Sequence, residues 1–304
     1  MKILVHNYAN SCSSQPMYLH ECFSRVGLES SLWHPADPIS VYDKLDSEKP
    51  DVLISSFNLM GKDLLAYLSE NQNIKVILNI TGCNQKALED LEVVITKVYN
   101  LNCMFLLNEQ HEVLDTLKSS CFNILNLPSC IDVFATKTPC PDYNLSAAII
   151  SNTRSPLFDS ACEKHESYHT ILLADNQDES SKEMDMIANT LNLTSIYDKY
   201  EKIVLVGDVN FTCSQVFFDS LARSRNVVVE PPEEQKELFN KVLSTLFHEE
   251  MDGYSPLDQK RDFQETIKEQ AKKKHNAFSR CSTILKKMGN EEAAKVSLQI
   301  SESI

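Results

Sequence analysis

Thr212, Cys213 and Ser214 stand in a row between a short apolar strand and a helix. The first N–H groups of a helix have no intrahelical acceptors and carry partial positive charge, so such a start suits an anion such as phosphate. The hydroxyls of Thr212 and Ser214 add donors, and either can cap the helix. Gln215, Asp219 and Arg223 then recur every fourth residue and share one polar stripe. The same residues equally describe an ordinary cap followed by an i,i+4 ion pair between Asp219 and Arg223. Spacing alone leaves both readings open.

To position these residues the chain needs a strand–helix–strand unit, and 197–232 reads as one. Residues 203–206 form a strand, 207–213 a polar turn, 214–223 a helix, and 226–229 a second strand closed by Pro231 and Pro232. Parallel strands require such a crossover. The first part of the chain alternates in the same way, with strands at 1–6, 30–33, 51–56, 74–80, 103–107 and 122–127. Helices are expected at 16–25 (ended by Gly27), 41–45, 61–70, 85–91 and 110–119. This predicts a parallel sheet covered on both faces, with a ligand beyond the carboxyl ends of the strands. Those ends carry His6 to Ser14, Ser55 and Ser56, Thr81 to Asn84, and Asn108 to His111.

Residues 128–145 contain three prolines and little periodicity, which reads as a linker. Alternation restarts with a strand at 146–151, irregular residues 152–167, a strand at 170–174 and a helix at 180–191. An amphipathic helix at 233–248 follows the central unit. Helical segments at 257–274 and 276–289 come last, and the final dozen residues read as frayed. The fold class is therefore α/β. Two Rossmann-like domains, 1–128 and 146–255, are joined by a linker at 129–145. C-terminal helices at 256–304 are expected to pack back toward the N-terminal domain.

Composition removes several alternatives. With 304 residues the chain has room for two cores, and six glycines leave no GxGxxG or GxxxxGK[ST] loop. A net charge of −14 disfavours broad electrostatic binding of nucleic acid, although a local DNA groove is compatible with it. The one basic run, Lys272-Lys273-Lys274-His275, reads as a solvated helix face. Ten cysteines include no C-x-x-C, and no Cys/His pair has zinc spacing, so no metal site is expected. Several lie in apolar runs, as buried small hydrophobes do. With no signal peptide and no membrane-spanning run, the expected location is cytoplasmic.

Four stretches carry a family resemblance. Asp219-Ser220-Leu221-Ala222-Arg223-Ser224 followed by Asn226-Val227-Val228-Val229 resembles the carboxylate-Ala-Leu-Ala-x-Gly helix and apolar strand of GT-B-fold, nucleotide-sugar-dependent glycosyltransferases. The preceding IYDKYEKIVLV is similar to that family's Tyr-containing helix and strand. LPSCIDVF at 127–134 resembles its Pro-x-x-(Val/Ile)-Asp interdomain linker. HNAFSRCSTILKKMG resembles the closing helix of the spore-protein-like, group 1-like branch, with its His-Thr/Asn-x-x-x-Arg pattern. Departures are Asp219 where the family has Glu, Ser224 where it has Gly, no Gly-rich first loop, and Phe211 and Thr212 where a second carboxylate is usual.

The resemblance implies two Rossmann-like domains with a cleft between them, and a metal-independent transfer of sugar from a UDP- or GDP-sugar to an acceptor hydroxyl. No cofactor beyond that co-substrate is implied. Carried over, Asp219 binds the ribose hydroxyls, and Thr212, Cys213 and Ser214 hold the diphosphate. Arg154 neutralises the departing nucleotide. Asp175 and Asn176 face the base. His6, Asn10, Ser13 and Ser14 contact donor phosphate or acceptor, and His111 and His6 are the base candidates. The acceptor is unspecified; some phage enzymes of this fold glycosylate modified bases in DNA. Two further readings remain: a non-catalytic GT-B-like nucleotide-sugar-binding or protein-interaction module, and another two-domain Rossmann protein such as an epimerase.

Overall fold

The computed structural model describes residues 1–6, 15–34, 37–56, 59–80, 90, 93, 101, 103–107, 124–127, 130, 131, 133, 145–173, 197, 199–208, 215–223, 226–247 and 261–304. They fall into two compact units. Unit 1 takes the first strand, the described residues of Gln15–Pro128, and Arg280–Ile300. Unit 2 takes the described residues of Ser129–Ser279 together with Ser301–Ile304. The helices expected at 85–91, 110–119 and 180–191 lie outside the described residues, Asp90 apart. No helix among the described residues is long and apolar enough to cross a membrane.

Unit 1 contains strands β1 (Lys2–His6), β2 (Glu29–Trp33), β3 (Val52–Ser56), β4 (Lys75–Asn79), β5 (Cys103–Leu107) and β6 (Ile124–Asn126). They form one sheet in the order β2-β1-β3-β4-β5-β6, with every pairing parallel. Helices α1 (Gln15–Arg25), α2 (Val41–Glu48) and α3 (Lys62–Glu70) connect the first four strands. Strand residues alternate between faces. Leu4, Leu53, Val76, Leu78, Cys103 and Phe105 pack with Leu45, Leu64 and Leu68 in one cluster. The alternate residues Ile3, Val5, Ile54 and Ile77 are buried as well, as a parallel sheet covered on both faces requires. Gly27 ends α1 as expected: its φ is 83°, and the N–H of Leu28 reaches back to the carbonyl of Phe23 at 3.1 Å.

Unit 2 repeats the scheme with β7 (Leu145–Ser151), α4 (Pro156–Lys164), β8 (His169–Leu172), β9 (Tyr200–Val206), α5 (Gln215–Arg223) and β10 (Asn226–Glu230). Its four parallel strands lie in the order β10-β9-β7-β8. Numbered by their own sequence, both sheets wind 2-1-3-4. Helices α6 (Lys236–Phe247), α7 (Arg261–Lys274), α8 (Ala277–Lys287) and α9 (Glu291–Glu302) close the chain. Among these helices the division between the units falls twice, inside α8 after Ser279 and inside α9 after Ile300.

Two expectations need correction. Residues 152–167 are not irregular, because α4 occupies 156–164. Ser155 Oγ accepts from the N–H of Phe158 at 3.2 Å, Pro156 sits in the first turn, and Phe158 and Ala161 are buried three residues apart. The last dozen residues are not frayed, since α9 runs to Glu302. Asn290 Oδ1 caps it by accepting from Ala293 N at 3.2 Å. Its buried face is made of Ala293, Ala294, Ser297 and Ser301. Small residues at four-residue spacing bury a helix face without the apolar signal that marks one in a sequence.

The start of the linker is also more buried than a linker composition implies. Cys130, Ile131 and Val133 are buried, and Ile131 pairs with Asn276 while its N–H donates to the carbonyl of His275 at 2.7 Å. Asn276 ties this region together. Its Nδ2 donates to the Lys272 carbonyl at 2.7 Å and to Ser301 Oγ at 2.9 Å, and its Oδ1 accepts from Ser279 N at 3.0 Å.

Candidate functional site

In a doubly wound sheet the chain crosses to opposite faces on either side of the first strand, and the crevice left at the carboxyl ends there receives ligands. In unit 1 that point lies between β1 and β3. The register places Trp33 opposite His6, and Val5 opposite Ile54, so Ser55 follows as His6's other neighbour. All three share the face of Leu4 and Leu53. The His6 ring stacks on Trp33 with centroids 4.2 Å apart and planes 7° from parallel. His6 Nδ1 lies 3.1 Å from Ser55 Oγ. His6 is 6 % exposed and Ser55 fully buried. Burial penalises the charged ring and pushes the His6 pKa down to about 4. At neutral pH His6 is therefore an uncharged imidazole and a weak proton acceptor.

Unit 2 has its switch point between β7 and β9. Buried Ser151 ends β7 and turns back on its own loop: its Oγ donates to the Thr153 carbonyl at 2.9 Å and accepts from Thr153 N at 3.3 Å. Arg154 follows with a side chain 75 % exposed, and its Nε donates to Asp159 Oδ1 at 3.2 Å. A guanidinium on a surface this open is hydrated and mobile, and the ion pair adds little stability. Its chemical value lies in being available to an anion.

The stripe predicted on α5 is present, but it faces inward. Gln215 is 3 % and Asp219 2 % exposed. Gln215 Nε2 donates to the Cys130 carbonyl at 2.7 Å and to Asp219 Oδ1 at 2.9 Å, while its Oε1 accepts from Cys130 N at 3.3 Å. One side-chain amide thus stands in for a neighbouring strand, satisfying both backbone groups of a residue outside the sheet. Asp219 is held through Gln215, so its carboxylate is part of the interior of unit 2. Gln215 was visible in the sequence only as the head of a polar stripe.

Of the residues singled out in the sequence, His6, Arg154 and Asp219 lie among the described ones. Asn10, Ser13, Ser14, His111, Asp175, Asn176, Thr212, Cys213 and Ser214 lie outside them. Trp33 and Ser55 were legible only as strand ends, and their pairing with His6 needed the register of three strands. Among the described residues, no group of three or more His, Cys, Asp or Glu is placed to hold a metal ion. Cys22, Cys103, Cys130 and Cys281 are buried, and burial pushes the Cys103 and Cys281 thiols up to about 12.

No protein-family model and no curated protein sequence matches the chain. Solved structures do. An alpha-glucosyltransferase in complex with UDP and a 13-mer DNA containing a HMU base shares 12 % identity with a TM-score of 0.52, covering 96 % of this chain and 99 % of its own. An alpha-glucosyltransferase in complex with UDP-glucose and DNA containing an abasic site shares 12 % identity with a TM-score of 0.51, covering 94 % and 98 %. CalG4, the calicheamicin glycosyltransferase, shares 10 % identity over 95 % and 98 % of the two chains, at a TM-score of 0.43. The chain has a mixed α/β fold of parallel sheets and helices, similar to the fold of the two alpha-glucosyltransferases.

Proposed function

We propose that this protein is a GT-B-type glycosyltransferase that moves a sugar from a nucleotide-sugar, with UDP-glucose the first donor to test, to an acceptor hydroxyl. The observation that carries the reading is the similarity of nearly the whole chain to nearly the whole of an alpha-glucosyltransferase bound to UDP. Fold alone does not fix activity, but the polar groups of both sheets lie where such a fold binds ligands. In this reading the two domains are 1–128 and 146–255, with a cleft between them.

During transfer the anomeric C–O bond to the diphosphate breaks, a bond to the acceptor oxygen forms, and the acceptor proton is lost. Negative charge collects on the departing diphosphate. Arg154, with Thr212, Cys213 and Ser214, which precede α5 in the sequence, is assigned to that charge. His111 rather than His6 is assigned as base, because a group with a pKa near 4 is poorly matched to accepting a proton at neutral pH. Ser13 and Ser14 keep their assignment to donor phosphate or acceptor. A hydroxyl on a modified DNA base is a reasonable acceptor to try, given the DNA in the two glucosyltransferase complexes. The net charge of −14 requires any such DNA contact to be local and sensitive to salt.

One observation favours a second reading, a non-catalytic nucleotide-sugar-binding module. Asp219, which the family resemblance assigns to the ribose, is buried and already holds Gln215.

Thermal stability measured against UDP, UDP-glucose, GDP and GDP-sugars separates the readings. A ligand that binds only the folded state raises stability as RT ln(1 + [L]/Kd), so the shift must grow with concentration. A shift with one nucleotide family, followed by sugar transfer to a hydroxyl-bearing DNA or small acceptor detected by mass, supports the transferase. Binding without transfer or donor hydrolysis supports the module. No shift with any nucleotide overturns both.

A further inference from the structure

We propose that Ser55 and Trp33 are positioning residues that fix the His6 ring with its proton on Nε2. His6 would then offer a hydrogen-bond donor, rather than a base, to an oxygen atom of the ligand at the carboxyl edge of the unit 1 sheet. The identity of that oxygen, a hydroxyl or phosphate oxygen of the nucleotide-sugar, rests on the function proposed above. The position of the proton does not.

The reasoning starts with Ser55. Its hydroxyl is fully buried, and its partner among the described residues is His6 Nδ1 at 3.1 Å. A hydroxyl carries one proton to donate and can accept besides. A buried donor left unmade costs about 1–3 kcal/mol. If Nδ1 carried the ring proton, it would donate to Ser55 and leave the hydroxyl proton without an acceptor among those residues. With the ring proton on Nε2, the Ser55 hydroxyl donates to Nδ1 and the pair is satisfied. Trp33 contributes the orientation. Parallel stacking at 4.2 Å holds the plane of the ring. A half-turn that would set carbon instead of Nδ1 against Ser55 would forfeit the hydrogen bond.

The location gives this proton a use. His6 is the last residue of β1, directly beside the switch point, and the two side chains set against it, Ser55 and Trp33, carry no charge. Burial keeps the ring neutral through the physiological range. A neutral Nε2–H is suited to an oxygen with lone pairs, and nucleotide-sugars present many.

Imidazole nitrogen NMR on the full-length labelled protein reads the proton position directly. At neutral pH the expected result is a protonated Nε2 and a bare Nδ1 on His6, with the two tautomers mixing in Ser55→Ala. A proton on Nδ1 of the native protein, or no change in Ser55→Ala, overturns the positioning role. UDP-glucose binding then tests the ligand. The amide nitrogen of His6→Gln can occupy the Nε2 position and should keep affinity to within about threefold, whereas His6→Asn reaches only the Nδ1 position and should lose about tenfold. Equal affinities in the two variants overturn the donor role. If native protein binds none of UDP, UDP-glucose, GDP and GDP-sugars while Nε2 carries the proton, the proposed function and the assigned ligand fail and the positioning role stands.

Discussion

The two sheets share a winding order and differ in what they hold at their carboxyl edges. In unit 1 the described polar groups at the switch point are buried, face one another and lack charge: Trp33, His6 and Ser55 form a row fixed by strand register. In unit 2 the corresponding loop spends its buried serine on its own backbone and leaves an arginine in water. The first edge is suited to orientation through short, directed hydrogen bonds. The second is suited to attracting charge. One topology therefore supplies two chemically unlike surfaces, and the difference resides in two or three side chains at each.

The comparison is open to direct attack. The largest effect is expected at Gln215, because its buried amide makes three hydrogen bonds within unit 2. Gln215→Ala removes the hydrogen bonds that its amide makes to the Cys130 N–H and carbonyl and to Asp219 Oδ1, a loss of about 3–4 kcal/mol in denaturant unfolding. A loss below about 1 kcal/mol would show that these bonds are unimportant. Asp219→Asn, which keeps an acceptor for Gln215, should be far milder, which makes it the better variant for testing nucleotide binding.

Acid should strike unit 1. The His6 pKa falls from 6.5 to about 4 on folding, so between those values the unfolded chain binds more protons than the folded one. The stability associated with a neutral His6 is fully present above about pH 6.5 and is lost as pH falls toward 4. A shift of that size corresponds to about 3 kcal/mol. Urea midpoints for the native protein and His6→Asn should converge across this window as the pH is lowered. Parallel lines would show that burial does not hold His6 neutral.

Smaller effects sharpen the picture of unit 2. Ser155→Ala removes the cap of α4 and should cost about 1 kcal/mol. Arg154→Ala should change stability by less than about 0.5 kcal/mol, since its ion pair with Asp159 is exposed. The same variant should weaken UDP-sugar binding, and an unchanged affinity would end the role assigned to this residue.

Most strands were legible because their apolar runs are bounded by turn residues; Cys103–Leu107 was read with its observed limits. Other elements were obscured by composition. The Ser155-Pro156 start of α4 was present in the sequence, but polar Glu163 to Tyr168 after it resembles a loop. The Ala/Ser face of α9 lacks any apolar periodicity. At the site, single residues were visible and relations were not. His6 can be found by its place at a strand end, yet its neutrality arises from burial, and its partners Trp33 and Ser55 each come from a different strand. Asp219 could be found by its spacing, but its burial and its link through Gln215 to Cys130, far away in sequence, could not.

The segment Arg280–Ile300 belongs to unit 1, where Lys75 Nζ donates to the Met288 carbonyl at 3.2 Å. On the ribosome these pieces appear far apart in time. About 170 residues separate Pro128 from Ile300, which at ~5–20 residues per second is roughly 10–35 s of translation. The N-terminal sheet must wait through the synthesis of unit 2 before its last helices arrive. Unit 1 is therefore begun first but completed only once nearly all of unit 2 has been made.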